Sequence, residues 1–176
     1  MTRTSFSTLP GSRLAAGLFL ASLLAGCANL ADTPAGTPFD EVQAKFGSPD
    51  FSCTTQEGQK RVIWSMQPLG QYAWGTHVDD QGNVDEVVPI LTTENFRKLD
   101  EGTWDADQVR CEYGPPAETG PVGLPSVRQE VWSYRFKENG AWNSLMHVYF
   151  DPETGEVTRH HAGPDPLYER ERFLFW

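Results

Sequence analysis

The sequence predicts an α+β protein made of two tandem copies of one unit, a helix followed by a three-stranded antiparallel meander, with the helices packed on one face of the sheet. Three observations predict it. The punctuation of the chain repeats: Val42, Phe46, Gly47 and Pro49 recur as Val109, Tyr113, Gly114 and Pro116, each 67 positions later. After each of these stretches the apolar period changes from that of a helix to two. Trp64 recurs as Trp132 after 68 positions and Gly82 as Gly155 after 73, so the second copy carries longer strands or hairpin loops.

The elements follow in order. Thr37 is read as an N-cap with Pro38 in the first helical position and Asp40 three residues after the cap, in the manner of a capping box. Phe39, Val42 and Phe46 then lie on one face, and Gly47 and Pro49 end the helix, because glycine takes the left-handed C′ conformation cheaply and proline cannot continue the turn. The alternating segments Arg61–Met66, Tyr72–Val78 and Val84–Ile90 are read as strands, with Asp79–Asn83 as a turn. A further helix is expected over Thr93–Leu99 with Thr93 as its cap, and Gly102 makes a corner. The second copy starts from Asp105 with Ala106, Val109 and Tyr113 on its buried side, and stops at Gly114-Pro115-Pro116. Strands are expected at Glu130–Phe136, Ser144–Phe150 and Glu156–His161, joined by turns at Glu138–Gly140 and Asp151–Gly155. Trp132, Tyr134 and Phe136 share one strand face, so the helices belong on that side.

Composition bounds the partners. The chain has 176 residues, a net charge of −10, 39% hydrophobic and 12% aromatic residues. Ten Phe, six Trp and five Tyr supply enough apolar surface for a folded core. The acidic balance repels phosphate and no basic stripe interrupts it, which argues against nucleic acid as a partner.

The first residues differ from the rest. Arg3 and Arg13 precede the apolar run Leu14–Ala25, which is too short for a permanent membrane helix of about 20 residues and has the form of an export signal. The run ends in Leu24-Ala25-Gly26-Cys27, which resembles the lipobox of bacterial lipoproteins. That resemblance implies cleavage after residue 26, a diacylglyceryl thioether on Cys27 and a third acyl chain on the new amino terminus. At about 0.8 kcal/mol per buried CH₂, several chains make a lasting anchor. Ala28 stands where an inner-membrane retention Asp often stands, so the resemblance implies lipid anchoring at the periplasmic face of the outer membrane of a Gram-negative bacterium. The chain is accordingly divided into a signal peptide (1–26), a lipidated Cys and tether (27–36), a first repeat (37–90), a second repeat (91–166) and an apolar tail (167–176).

Cys53 and Cys111 remain as an even pair in an oxidising compartment, which favours a disulfide; two separate buried thiols are the alternative. No catalytic constellation emerges. His160 and His161 are adjacent on a strand and point to opposite faces, and His147 could reach one of them across a hairpin, but two histidines lack the third ligand of a catalytic zinc site. Ser52 and Ser126 lack a nucleophile elbow, and Asp79-Asp80 lacks the spaced acids of a calcium loop. No catalytic residue, metal ligand or cofactor is therefore assigned. Tyr72, Trp74 and Trp142 are candidates for partner contact, with core packing as the competing reading. In the tail, Phe173, Phe175 and Trp176 are further candidates, since so much apolar surface calls for a cover, a partner groove or the lipid interface.

The run Leu91-Thr92, Phe96, Leu99, Gly102-Thr103, Gln108-Val109, Tyr113-Gly114-Pro115-Pro116, Trp132-Ser133-Tyr134-Arg135-Phe136, Val148-Tyr149-Phe150-Asp151 and Gly155-Glu156-Val157 resembles the SmpA/OmlA (BamE-like) lipoprotein domain over about Leu91 to His161. A weaker copy covers Gly36 to Ile90, and tandem copies are similar to the β-lactamase-inhibitor-like architecture. The resemblance implies a non-enzymatic, membrane-anchored module that binds periplasmic or outer-membrane proteins in envelope assembly or maintenance. A periplasmic inhibitor of a hydrolase is the alternative it leaves open.

Overall fold

A computed structural model describes residues 29–125 and 128–169. Among the described residues the protein is α+β, with two four-stranded antiparallel sheets and a few small helices. In chain order these are α1 (Phe39–Phe46), β1 (Phe51–Thr54), β2 (Lys60–Ser65), β3 (Ala73–Val78), β4 (Val88–Pro89), α2 (Thr93–Phe96) continuing as a 3₁₀ turn over Arg97–Asp100, α3 (Ala106–Tyr113), β5 (Glu118–Val122), β6 (Gln129–Glu138), β7 (Trp142–Phe150), β8 (Val157–Pro164) and α4 (Pro166–Glu169). The strand orders are β1-β2-β3-β4 in sheet 1 and β5-β6-β7-β8 in sheet 2.

Each sheet has one strand more than the three expected. β1 carries a single large apolar residue, Phe51, and β5 contains Gly120 and Pro121, so neither has the composition of a strand. Both are edge strands, where a proline costs no ladder hydrogen bond if its nitrogen faces outward. The expected strand Val84–Ile90 shrinks to Val88–Pro89, with an isolated bridge between Val78 and Val84. Its buried residues, Val84, Val87 and Ile90, fall every third position, which a regular strand cannot place on one face.

The helix starts show two further differences. Pro38 is extended and occupies the cap position of α1, while the Thr37 hydroxyl donates to Pro34 O instead of capping. Thr92, not Thr93, caps α2 through Asn95 N, and Thr93 accepts instead from Asn139 N on the β6–β7 hairpin. At α3 the full capping box forms: Asp105 Oδ1 accepts from Gln108 N at 2.8 Å and Gln108 Oε1 from Asp105 N at 2.7 Å. Within the segment expected as a tether, Leu30–Asp32 makes a 3₁₀ turn and Leu30 is buried.

Alternation along β2 and β3 divides the core in two. Val62, Trp64, Val78, Val84 and Val87 face α1, where Val42, Phe39 and Leu30 meet them. Ile63 and Ala73 face the other way, into a larger core with Ile90, Phe96 of α2, Leu99, Val109 and Tyr113 of α3, and Tyr134, Phe136, Met146, Val148 and Phe150 of sheet 2. This cluster is common to both sheets. Gly114 ends α3 at φ +80°, and a Cβ there would stand 3.2 Å from Ile63 Cγ2, so both conformation and contact favour glycine.

At the far end, the β2–β3 connection completes sheet 2. β6 extends beyond β5, which leaves the backbone of Arg135 without a strand neighbour on that side among the described residues. Gln67 takes the place of one: its amide nitrogen donates to Arg135 O at 2.8 Å, and its amide oxygen accepts from Arg135 N at 3.2 Å. Gln71 donates to Asn143 Oδ1 nearby. The Arg135 side chain is buried with Glu118 (2.6 Å) and with the fully buried Asp165 (3.3 Å), which fixes the start of α4.

Phe96 lies at the centre of the shared core, stacked on Tyr113 at 4.8 Å and edge-on to Phe136 at 5.1 Å. Phe96→Ala is expected to cost about 3–5 kcal/mol in urea unfolding, while Trp142→Ala, on an exposed residue, changes stability by less than about 0.5 kcal/mol. Equal effects of the two substitutions would contradict this packing.

Candidate functional site

Two surface features stand out, a polar groove between sheet 1 and α3 and an apolar hollow at one end of sheet 1. The groove has a volume of about 750 Å³ and runs between the β1–β2 hairpin and α3 with its preceding corner. Its wall includes the Cys53–Cys111 disulfide, which joins β1 to α3 with Cα atoms 5.8 Å apart. Closing a loop of 58 residues contributes about 4 kcal/mol in the chain-entropy model.

Its deepest group is Arg61, only 6% exposed, which lies across β3. Gly75 permits this, because a Cβ there would stand 3.3 Å from Arg61 Nη2 and 3.0 Å from Ile90 Cγ2. Arg61 Nη2 donates to Glu112 O at 3.1 Å and pairs with Glu112 Oε2 at 3.2 Å, and Lys98 Nζ holds the other carboxylate oxygen at 2.7 Å. Arg61 Nη1 lies 3.3 Å from His77 Nε2, which must be unprotonated to accept. Burial, then the Arg61 charge, holds the His77 pKa below its ordinary value, with Asp85, Glu112 and Glu57 acting weakly the other way. These charges are spent on one another, and Arg61 Nε has no partner among the described residues. The network locks β2, β3 and α3 together.

The hollow arises because α1 is short. Eight residues make a helix about 12 Å long, whereas a six-residue strand reaches about 20 Å. α1 covers Val62 and Trp64, and beyond Phe46 the same sheet face continues with Met66, Tyr72 and Trp74, uncovered by any other of the described residues. Trp64 and Trp74 are cross-strand partners, and Trp64 Nε1 donates to Gly47 O at the helix end. Tyr72 stacks on Trp74 at 5.9 Å. Leu30, Phe46, Trp64, Met66 and Trp74 line a hollow of about 360 Å³. Met66 is 53%, Leu69 70% and Tyr72 44% exposed.

The structure thus brings Tyr72 and Trp74 together, with Trp74 half-buried against the α1 core. Trp142, 67% exposed, lies elsewhere, on the β6–β7 hairpin beside Ser144 and Tyr168. Cys27, Phe173, Phe175 and Trp176 lie outside the described residues. Among the described residues no helix is long and apolar enough to cross a membrane, and no three His, Cys, Asp or Glu side chains converge to hold a metal. Sequence reasoning missed Met66 and Leu30 as lining of the hollow, and Arg61, His77 and Glu112 as a network. A signal for the first was present, since Met66 falls two positions after Trp64; for the second there was none, because the three residues come from different elements. No family model matches the chain, and no curated protein or solved structure matches it significantly.

The His77 shift carries a pH dependence. A histidine with a depressed folded-state pKa takes up its proton more readily in the unfolded chain, so stability is held above the unfolded pKa of about 6.5 and falls as pH drops below it. Unfolding midpoints in urea should therefore decline between about pH 7.5 and 5.5, and His77→Gln should flatten that slope. An unchanged slope would show that burial and Arg61 do not hold His77 neutral.

Proposed function

We propose that this protein is a lipid-anchored, non-enzymatic binding module that works in envelope assembly or maintenance at the periplasmic face of the outer membrane, and that it engages its protein partner through the hollow beside Tyr72 and Trp74. The observation that carries the reading is that hollow, with Tyr72 stacked on Trp74 at its edge and Met66 uncovered by any other of the described residues, the kind of surface that takes an inserted apolar side chain. Anchoring rests on Leu24-Ala25-Gly26-Cys27. Descent from tandem BamE-like units is part of the same proposal. It is supported by the 67-residue spacing, by the matching positive-φ glycines Gly47 and Gly114 that end α1 and α3, and by the sequential order of the strands in each sheet. The partner is a periplasmic or outer-membrane protein, and Cys27 holds the module within reach of both.

Cys27→Ser should move the protein from the membrane to the soluble fraction of fractionated cells, and an unchanged distribution would remove the anchor from the account. Crosslinking in cells followed by affinity purification should recover envelope-assembly components with the parent chain. Recovery should fall at least about tenfold with Met66→Asp, since a charge in a desolvated contact costs more than 1.4 kcal/mol. Recovery of a single periplasmic hydrolase instead would replace this reading with an inhibitory one, and recovery unaffected by Met66→Asp would exclude the hollow as the contact.

A further inference from the structure

The face of sheet 2 that points away from the shared core carries Ser133 on β6, His147 and Tyr149 on β7, and Arg159, His161 and Gly163 on β8. None of these takes part in the hollow or the groove. His147 and His161 are direct cross-strand partners. Their rings are 5.3 Å apart between centroids, tilted by 45°. Two imidazoles that share one tetrahedral ion at about 2.0–2.1 Å per bond have ring centres about 5 Å apart. His147 Nδ1 is held by the Ser133 hydroxyl at 2.8 Å, which leaves Nε2 as its free ring nitrogen. That nitrogen lies over β8, 3.6 Å from where a Cβ on Gly163 would stand. His161 is exposed and its ring stacks on Tyr149 at 5.4 Å. A ligand histidine fixed through its second nitrogen is the arrangement that orients and strengthens metal ligands.

We propose that His147 and His161 form a two-histidine site for a borderline divalent cation of the Zn²⁺ or Cu²⁺ class, with Ser133 as the group that positions His147. The site is open to solvent, so water completes the coordination. Imidazole ligands without a carboxylate select these ions over Mg²⁺ and Ca²⁺. Sequence alone could not tell which of His160 and His161 faces His147; the register assigns His161, and His160 turns to the opposite face to bond Asp100 at 2.9 Å. The site is independent of the docking reading.

The test titrates the full chain with Zn²⁺ by calorimetry while the histidine ring signals are followed by NMR. One equivalent should bind, with His147 and His161 signals shifting and those of His77 and His160 unmoved. His161→Asn, a change at an exposed strand position, should weaken binding at least about tenfold, and Ser133→Ala by about tenfold. His160→Asn should leave it unchanged, and Mg²⁺ should not compete. Binding that survives His161→Asn, or no binding at millimolar Zn²⁺, would overturn the proposal.

Discussion

Among the described residues, sheet 1 has two apolar faces and one helix of its own to cover them, and the contact that resolves this organises the molecule. Ile63, Ala73 and Ile90 are buried against Phe96, Val109 and Tyr113, residues that precede sheet 2 and also pack on Tyr134 and Phe136. Neither sheet can bury its inner face without the same two helices. The approach is close at Gly114, where a Cβ would stand 3.2 Å from Ile63 Cγ2, and it is sealed by a buried ion pair between Arg61 and Glu112. Such a pair adds little net stability compared with apolar residues of the same shape, but it penalises any arrangement that separates its members, because each would leave a charge uncompensated. The Cys53–Cys111 bond crosses the same boundary and acts mainly on the unfolded chain.

The rigidity of that junction gives the remaining surfaces their character. With the inner face committed to α3, the outer face of sheet 1 depends, among the described residues, on α1, and a helix of two turns leaves Met66, Tyr72 and Trp74 beyond its end. The Gln67 side chain, paired to the backbone of β6, holds the adjoining loop so that these residues are presented by a fixed frame. A preorganised apolar surface loses little entropy when it is covered, which is the physical basis for the docking role proposed for it.

Much of the framework was legible in the chain because it was written in local chemistry. Gly47 and Gly114 marked both helix ends, Asp105 and Gln108 marked a start, and the alternation from Trp132 to Phe136 named the side on which α2 and α3 pack. The turns at Asp79–Asn83 and Asp151–Gly155 formed around aspartate side chains that accept from backbone nitrogens, as their composition suggested. The edge strands β1 and β5 were not legible, since pairing to a long neighbour rather than composition makes them strands. Thr37 and Thr93 were misread as caps because a neighbouring residue, Pro38 or Thr92, could take the same position. Of the candidate contact residues, Tyr72 and Trp74 proved adjacent and Trp142 stood apart, a distinction that depends on hairpin geometry. The pairing of His147 with His161 likewise depends on register.

The central claim is that the two sheets are halves of one core and not two folding units. Native-state amide hydrogen exchange tests this most directly. The account predicts that the slowest amides of β2 and β3 and those of β6 and β7 exchange with the same free energy, equal to that of global unfolding. Protection in sheet 2 that persists while sheet 1 opens separately, at a markedly lower free energy, would contradict it.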